Sequence, residues 1–405
     1  MALRICIFED NNYKDMFPLV YTRAVYELLY GMNSLMDKIV KMYPKAELNL
    51  FCRDYLGELL KERYGCRVNT VKDGDNCLFV NGRALIDSPI PIYGDEELGL
   101  KDDVLVYARL KKENCSKLKP SMFLENRVIA QLRKKVKTKQ IKVLMADYLW
   151  TLVNNNKQQI EKDFKCLSIN GQIRSKLFEG VYIINKKNVY IGKNAKIMPG
   201  TVINASDGLV YLDDGVTVMP NSVITGPAFI GKDSLLKACT RIYGGTSIGR
   251  ECKVSGEINA SIIQGYSNKQ HEGFLGHSYI GSWVNLAAAT DNSNLKNNYS
   301  SVNVDMGDKK LISTGLTFAG MFVGDYSKTG IGTKIQCGTV IGIMCSIMEA
   351  GIIRGYMPSF TWIDGKGKPQ NYMLDKGIET LKTAMARRTK KLTCTEEKMI
   401  RFMHK

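Results

Sequence analysis

No run of 18 apolar residues occurs anywhere in the 405-residue chain, so no segment reads as a membrane-spanning helix. The first ten residues turn acidic at Glu9 before a signal-peptide hydrophobic region can form, which places the protein in the cytoplasm as an expectation. The 11 cysteines are odd in number, scattered and never spaced C-x-x-C; this argues against a disulfide framework and a zinc knuckle. Acidic side chains are in deficit, 40 Asp and Glu against 57 Lys and Arg, for a net charge of +17. The densest basic patch, Arg133, Lys134, Lys135, Lys137, Lys139 and Lys142, has no aromatic residue interleaved to stack on bases. It reads as a solvated helix face or loop, so neither nucleic acid nor a membrane is expected as a partner, and small polyanions are. Histidine is scarce, with three in the chain.

What is present divides in two. Leu3 to Phe8 reads as a buried strand, and Val25, Leu28, Leu29, Met32, Leu35, Met36 and Ile39 are spaced as one helix ended by Pro44. Further strands are expected at Leu48 to Cys52, Cys66 to Val71 and Cys77 to Val80, with a helix through Leu56, Leu59 and Leu60 capped by Gly65. Short units of strand and helix predict a doubly wound, parallel α/β domain over residues 1–140, with ligands at the carboxyl ends of its strands. A helical connector is expected over 141–184.

The second half carries an internal repeat. Leu212, Val218, Ile224, Ile230, Leu236, Ile242, Ile248 and Val254 recur every six residues, with matching runs at Ile191, Ile197, Ile203 and at Ile335, Ile341, Ile347, Ile353. Neither a helix nor an alternating strand produces that period. It fits a triangular solenoid over 185–358, each unit one short strand and one corner, with Gly192, Asn194, Gly231 and Gly249 relieving the corners. A tail over 359–405, with a helix after Asn371, completes the chain. Between Leu286 and Val323 the rhythm fails in a loop rich in Asn, Ser and Thr, the kind of place where sites are built. His271 lies just before it and can serve as a base for acyl transfer to an amine.

The repeat is the hexapeptide pattern of left-handed parallel β-helix proteins, and GYSNKQHEGFLGHSYIGSWVNLAAATDNSNLKNN, residues 265–298, resembles the acetyltransferase region of GlmU-type enzymes. The whole chain resembles sugar nucleotidyltransferases with a C-terminal β-helix, through FED at Phe8 to Asp10, PLVYTRAVYEL at Pro18 to Leu28, LFVNGR at Leu78 to Arg83, and MARR at Met385 to Arg388. That resemblance implies a left-handed β-helix, a homotrimer, and acetyl-CoA-dependent N-acetylation of an amino sugar or its phosphate. His271 is then the base; Phe274, Asn285 and Asn294 hold the sugar; Glu257 matches a family acid. The backbone of Ala287 and Ala288, in place of Gly-Ala-Gly, faces the thioester. The family's phosphate-gripping lysines are replaced by Asn259 and Ala260, a role that Arg241 or Lys269 is left to fill. Lys328, Lys334, Arg387 and Arg388 are candidates for the phosphates of acetyl-CoA.

In the first domain the same resemblance implies nucleotidyl transfer to a sugar 1-phosphate, with Mg²⁺. Arg23 is the candidate for the nucleotide phosphates, Glu9 and Asp10 are candidates near the metal, Asp10 foremost, and Asn81 stands where an Asp is usual. Asp73 and Asp75 precede that strand, at its wrong end. The Gly-rich phosphate loop is missing, so weak transfer or an unusual metal site is expected. Two other readings stay open: a nucleotidyltransferase whose β-helix only oligomerises it, and a non-catalytic sugar-nucleotide-binding scaffold.

Overall fold

The structure is a computed structural model that describes residues 4–70, 76–167, 169, 171–308, 310–349, 351–365 and 369–404. Seven strands form the N-terminal sheet: β1 (Arg4–Phe8), β2 (Glu47–Phe51), β3 (Arg67–Val68), β4 (Cys77–Asn81), β5 (Glu97–Lys101), β6 (Val104–Leu110) and β7 (Lys137–Gln140). Their order is β7-β5-β6-β4-β1-β2-β3, and β4, β1, β2 and β3 are mutually parallel. The sheet departs from the expected parallel arrangement at β6, which runs antiparallel to both neighbours. A tight turn at Asp102, whose φ is +54°, makes β5 and β6 a hairpin. Period-two alternation along β1 explains the burial of both faces. Ile5 and Ile7 join the core under helices α1 (Leu35–Met42) and α2 (Gly57–Tyr64), while Cys6 and Phe8 join a separate core with Phe51, Phe79 and Phe123. The basic patch is solvated, and β7 within it is an exposed edge strand whose lysines discourage further pairing.

One expected helix is absent. Residues 25–39 form a 3₁₀ turn (Val25–Glu27) and a hairpin of Leu29–Tyr30 with Asn33–Ser34; only then does α1 begin. Gly31, at φ +68°, makes the hairpin turn, and its N–H donates to Asn156 Oδ1 at 2.7 Å. Tertiary contacts therefore override the helical spacing. The connector is helix α3 (Leu149–Lys165), which starts later than the first apolar residues of the segment suggest.

Beyond it the chain winds into a left-handed parallel β-helix whose rung strands run from Tyr182–Ile184 to Thr361–Ile363. Strands 189–191, 210–212 and their successors build the first face, 196–197 and successors the second, 202–204 and successors the third. The six-residue aliphatics point inward: Leu212, Val218, Ile224, Ile230, Leu236, Ile248 and Val254 are all fully buried. The glycines serve a different purpose from the one expected. Gly231 and Gly249 have ordinary negative φ, but a Cβ on Gly249 would lie 2.7 Å from the backbone nitrogen of Gly265 in the next coil. They permit close stacking of coils, while Asn194, Asp233, Glu251, Tyr266 and Trp283 occupy the left-handed corner conformation.

The N-terminal domain and α3 cover the first face. Asn156 donates to Gly245 O at 2.8 Å and Ser247 Oγ at 2.9 Å, Ser247 donates to Gly31 O at 2.7 Å, and the Tyr279 hydroxyl donates to Leu29 O at 2.8 Å. Helices α4 (Leu374–Ala386) and α5 (Cys394–Met403) follow the coil, and Arg388, just past α4, donates to Asn268 on the second face. The third face leaves Tyr182, Ile184, Val223, Tyr243 and Ile352 exposed.

Candidate functional site

Strand β1 ends by delivering Glu9 and Asp10 to the carboxyl edge of the sheet, where Phe8 pairs in register with Asn81 of β4. Both carboxylates are buried, and both are held by guanidinium groups. Arg53 grips Glu9 through Nε and Nη2, each at 3.0 Å, and the backbone N–H of Val25 donates to Glu9 at 2.8 Å. Arg83, fully buried, grips Asp10 through Nε at 2.8 Å and Nη2 at 2.7 Å, and Asn81 Nδ2 adds a bond of 2.8 Å. Asn81 is itself spent, since it also donates to Leu105 O and accepts from the N–H of Arg83.

These donors do not fit Mg²⁺. A hard cation needs carboxylate oxygens with free lone pairs, and here the bidentate arginines take that electrostatic role. No group of three His, Cys, Asp or Glu side chains able to hold a metal occurs among the described residues, and Asp73 and Asp75 lie outside them. The expected metal role of Asp10 is therefore corrected. Arg23 is buried, pairs with Asp325 of the coil, and donates to Ser282 Oγ at 3.1 Å. It clamps the domain to the first face of the β-helix.

On the coil, the corner between the second and third faces gathers the acyl-transfer candidates. His271 is exposed there, and the turn 287–290 lies directly above it in the next coil, because Ala289 N–H donates to Glu272 O at 3.0 Å. The N–H of Ala287 is taken by Thr329 Oγ1 at 3.0 Å, whereas that of Ala288 bonds to no other described residue. One unbonded backbone donor therefore lies one coil above His271, about 4.8 Å along the stack.

Lys269 does not reach toward a substrate. It is 1% exposed, donates to His271 O at 3.0 Å, and burial brings its ammonium down to about 8. It braces the corner from inside. Arg241 is likewise committed, to Glu272 at 3.1 Å and Glu257 at 3.9 Å on the third face. Lys269 is held inside the corner, and Arg241 is paired at the surface.

Asn285 lies on the second face before the corner, bridged to Asn268 below and Lys328 above. It lines a cavity of about 630 Å³ between that face and α4, together with Lys253, Lys328, Arg387 and Arg388. The Lys328 ammonium donates to Tyr326 O at 3.1 Å and is lowered to about 8 by burial. Four cations against the single carboxylate of Glu379 make the cavity suited to a polyphosphate. Lys334 stands apart, exposed and paired with Asp291.

Phe274 and Asn294 are on the far side of the corner. The backbone N–H of Phe274 donates to Asp291 Oδ1 at 2.6 Å, and Asn294 Nδ2 bonds His277 Nδ1 at 2.9 Å. The His277 ring stacks on Phe318 at 5.1 Å, and burial lowers its pKa. Sequence reasoning passed over this histidine, and its spacing of 17 residues from Asn294, one coil in this region, was the available signal. It also passed over the Tyr266–Trp283 stack, rings 4.6 Å apart and parallel to within 2°, beside the cavity. The loop between Asn292 and Phe322 folds as a short hairpin, Asn303–Asp305 with Leu311–Ser313.

The family model for sugar nucleotidyl transferase matches residues 5–170. The chain is 25% identical over 173 residues to the bifunctional protein GlmU of Synechococcus elongatus, covering 42% of this chain and 33% of that one. It is 32% identical over 106 residues to GlmU of Rippkaea orientalis, covering 26% and 22%. A bifunctional sugar-1-phosphate nucleotidylyltransferase/acetyltransferase of Sulfurisphaera tokodaii is 29% identical over 169 residues, covering 37% and 42%. The chain spans about a third of the length of the first of these relatives. No helix among the described residues is long and apolar enough to cross a membrane.

Proposed function

We propose that this chain, a GlmU-like protein, transfers an acetyl group from acetyl-CoA to the amine of an amino sugar at the corner formed by residues 271–273 and 287–290. The observation that carries this reading is the exposed imidazole of His271 one coil below the free N–H of Ala288. Acetyl-CoA supplies the acyl group as a thioester. His271 takes the proton from the attacking nitrogen and returns it to the departing thiolate, while the C–N bond forms and the C–S bond breaks. The Ala288 N–H donates a hydrogen bond to the carbonyl oxygen as negative charge develops on it. Asn285 orients the substrate from the second face and Asn294 with Phe274 from the third. Lys328, Arg387 and Arg388 hold the phosphates of the donor in the cavity under α4.

The acceptor needs no phosphate. Arg241 is paired with two carboxylates and Lys269 is buried, so neither of these two cations stands ready to grip a 1-phosphate. The N-terminal domain keeps the nucleotidyltransferase-like sheet, and with Arg83 and Arg53 on its carboxylates its Mg²⁺-dependent transfer is expected to be weak. We place the protein in the cytoplasm as a homotrimer whose exposed third faces pack around the axis, with a neighbour closing the corner.

The test is a pair of mass-spectrometric incubations, one with acetyl-CoA and amino sugars with and without phosphate, one with nucleoside triphosphates and sugar 1-phosphates. An N-acetylated sugar with stoichiometric thiol release supports the reading. Product in the second incubation alone would replace it with nucleotidyl transfer.

A further inference from the structure

A second cavity, of about 360 Å³, opens where the N-terminal domain, the β-helix and the C-terminal segment meet; it shares Tyr266 and Trp283 with the first cavity but none of its cations. Its cations come from all three parts: Arg23 and Arg63, then Arg250, then Lys390 and Lys391. The carboxylates in its wall are already engaged. Asp325 accepts from Arg23, Thr22 and the N–H of Ser282; Glu27 accepts from Arg63 and Tyr64; Glu396 accepts from Arg63. Arg250 and Lys391 form no ion pair among the described residues.

The Arg250 guanidinium lies over the Tyr266 ring, 5.2 Å from its centre, and the Lys390 ammonium lies 5.7 Å from the same ring. Lys390 also pairs with Glu251 at 3.2 Å, outside the cavity wall. Arg23, 6% exposed, keeps its Nε without a partner in that wall. Five cations face three engaged carboxylates in the wall and Glu251 just beyond it, so the cavity keeps a positive excess, with Arg250 and Lys391 unpaired. That donor set grips phosphate oxygens.

We propose that this junction binds a diphosphate group. A diphosphate carries more charge and more acceptor oxygens than a monophosphate, and so answers the unpaired Arg250 and Lys391 together with the spare N–H of Arg23 more fully. The group ties the C-terminal segment to the coil, beside the place where Arg63 joins α2 to Glu396. Inorganic pyrophosphate and the diphosphate of a nucleotide present the same chemistry.

Isothermal titration calorimetry on the full chain tests this with inorganic pyrophosphate, UDP, ADP and orthophosphate as separate titrants. Pyrophosphate or a nucleoside diphosphate should bind at least tenfold more tightly than orthophosphate, and the unfolding temperature should rise with its concentration. Binding of pyrophosphate makes the free anion a sufficient ligand; binding of UDP or ADP without pyrophosphate assigns the group to a nucleotide. Arg250→Ala with Lys391→Ala, both exposed side chains, should cut that affinity at least tenfold and leave the ligand-free unfolding temperature in place. Lys328→Met, in the neighbouring cavity, should leave it unchanged. Three outcomes overturn the proposal: no heat with any diphosphate at millimolar concentration, undiminished binding by the double variant, or loss of binding in Lys328→Met instead.

Discussion

Replacing Arg83 with methionine tests whether a guanidinium stands in for a metal in the N-terminal domain. The methionine keeps much of the stem volume and removes four hydrogen bonds: to Asp10 at 2.8 and 2.7 Å, to Ala146 O at 3.1 Å and to Asp147 at 3.0 Å. Asp10, 3% exposed, is then left with Asn81 Nδ2 and the N–H of Asn12 as its donors. A buried carboxylate stripped of its cation costs about 3–5 kcal/mol. The double variant Asp10→Asn, Arg83→Met removes both charges and should recover a large part of that loss, since a buried ion pair is worth little against uncharged groups of similar shape. Urea unfolding of parent, single and double variants reads these differences from the midpoints. A loss under about 1 kcal/mol in Arg83→Met would refute the reasoning, because the pair would then contribute no more than a surface ion pair does. A rise in the parent's unfolding temperature on adding Mg²⁺ would refute it equally, by showing that the carboxylates are free.

Three further outcomes follow from the coil. Lys328, lowered to about 8 in the native state, binds fewer protons there than when unfolded, so the native chain gains stability as pH rises from 8 toward the ordinary lysine value. Lys328→Met should therefore be more stable than the parent at pH 7, by about 1–3 kcal/mol, with the gap closing above pH 8, as urea midpoints at pH 7 and 9.5 will show. Gly249→Ala drives a Cβ to within 2.7 Å of the next coil's backbone and should cost about 1–3 kcal/mol in the same assay. Steady-state kinetics should find kcat/KM for an amino sugar and its 1-phosphate within about tenfold of each other; a much larger preference for the phosphate would mean that Arg241 leaves its carboxylates.

The coil was legible because its period is a local property. Every buried aliphatic at spacing six reports the same geometry, and Leu212 through Val254 needed no knowledge of distant residues. The hairpin at 29–34 was not legible, because its stability comes from Asn156, Ser247 and Tyr279, more than a hundred residues away. The N-terminal site failed for a related reason. Glu9, Asp10, Asn81 and Arg83 were all visible in the chain, but Arg83 becomes the partner of Asp10 only through the pairing of β1 with β4. At the coil corner, His271 and Ala288 were found through a motif, whereas the commitment of Arg241, Lys269 and Lys334 to carboxylates and carbonyls depends on stacking register. Sequence shows which charges exist; the register shows which of them are spent.

The account stands most directly on His271. Acetyl-CoA-dependent thiol release with an amino sugar acceptor, measured for the parent and for His271→Ala alongside calorimetric binding of acetyl-CoA, should show kcat lowered by about 10²–10⁴ with the donor affinity little changed. Full turnover in His271→Ala, or a parent that binds no acetyl-CoA, would contradict it.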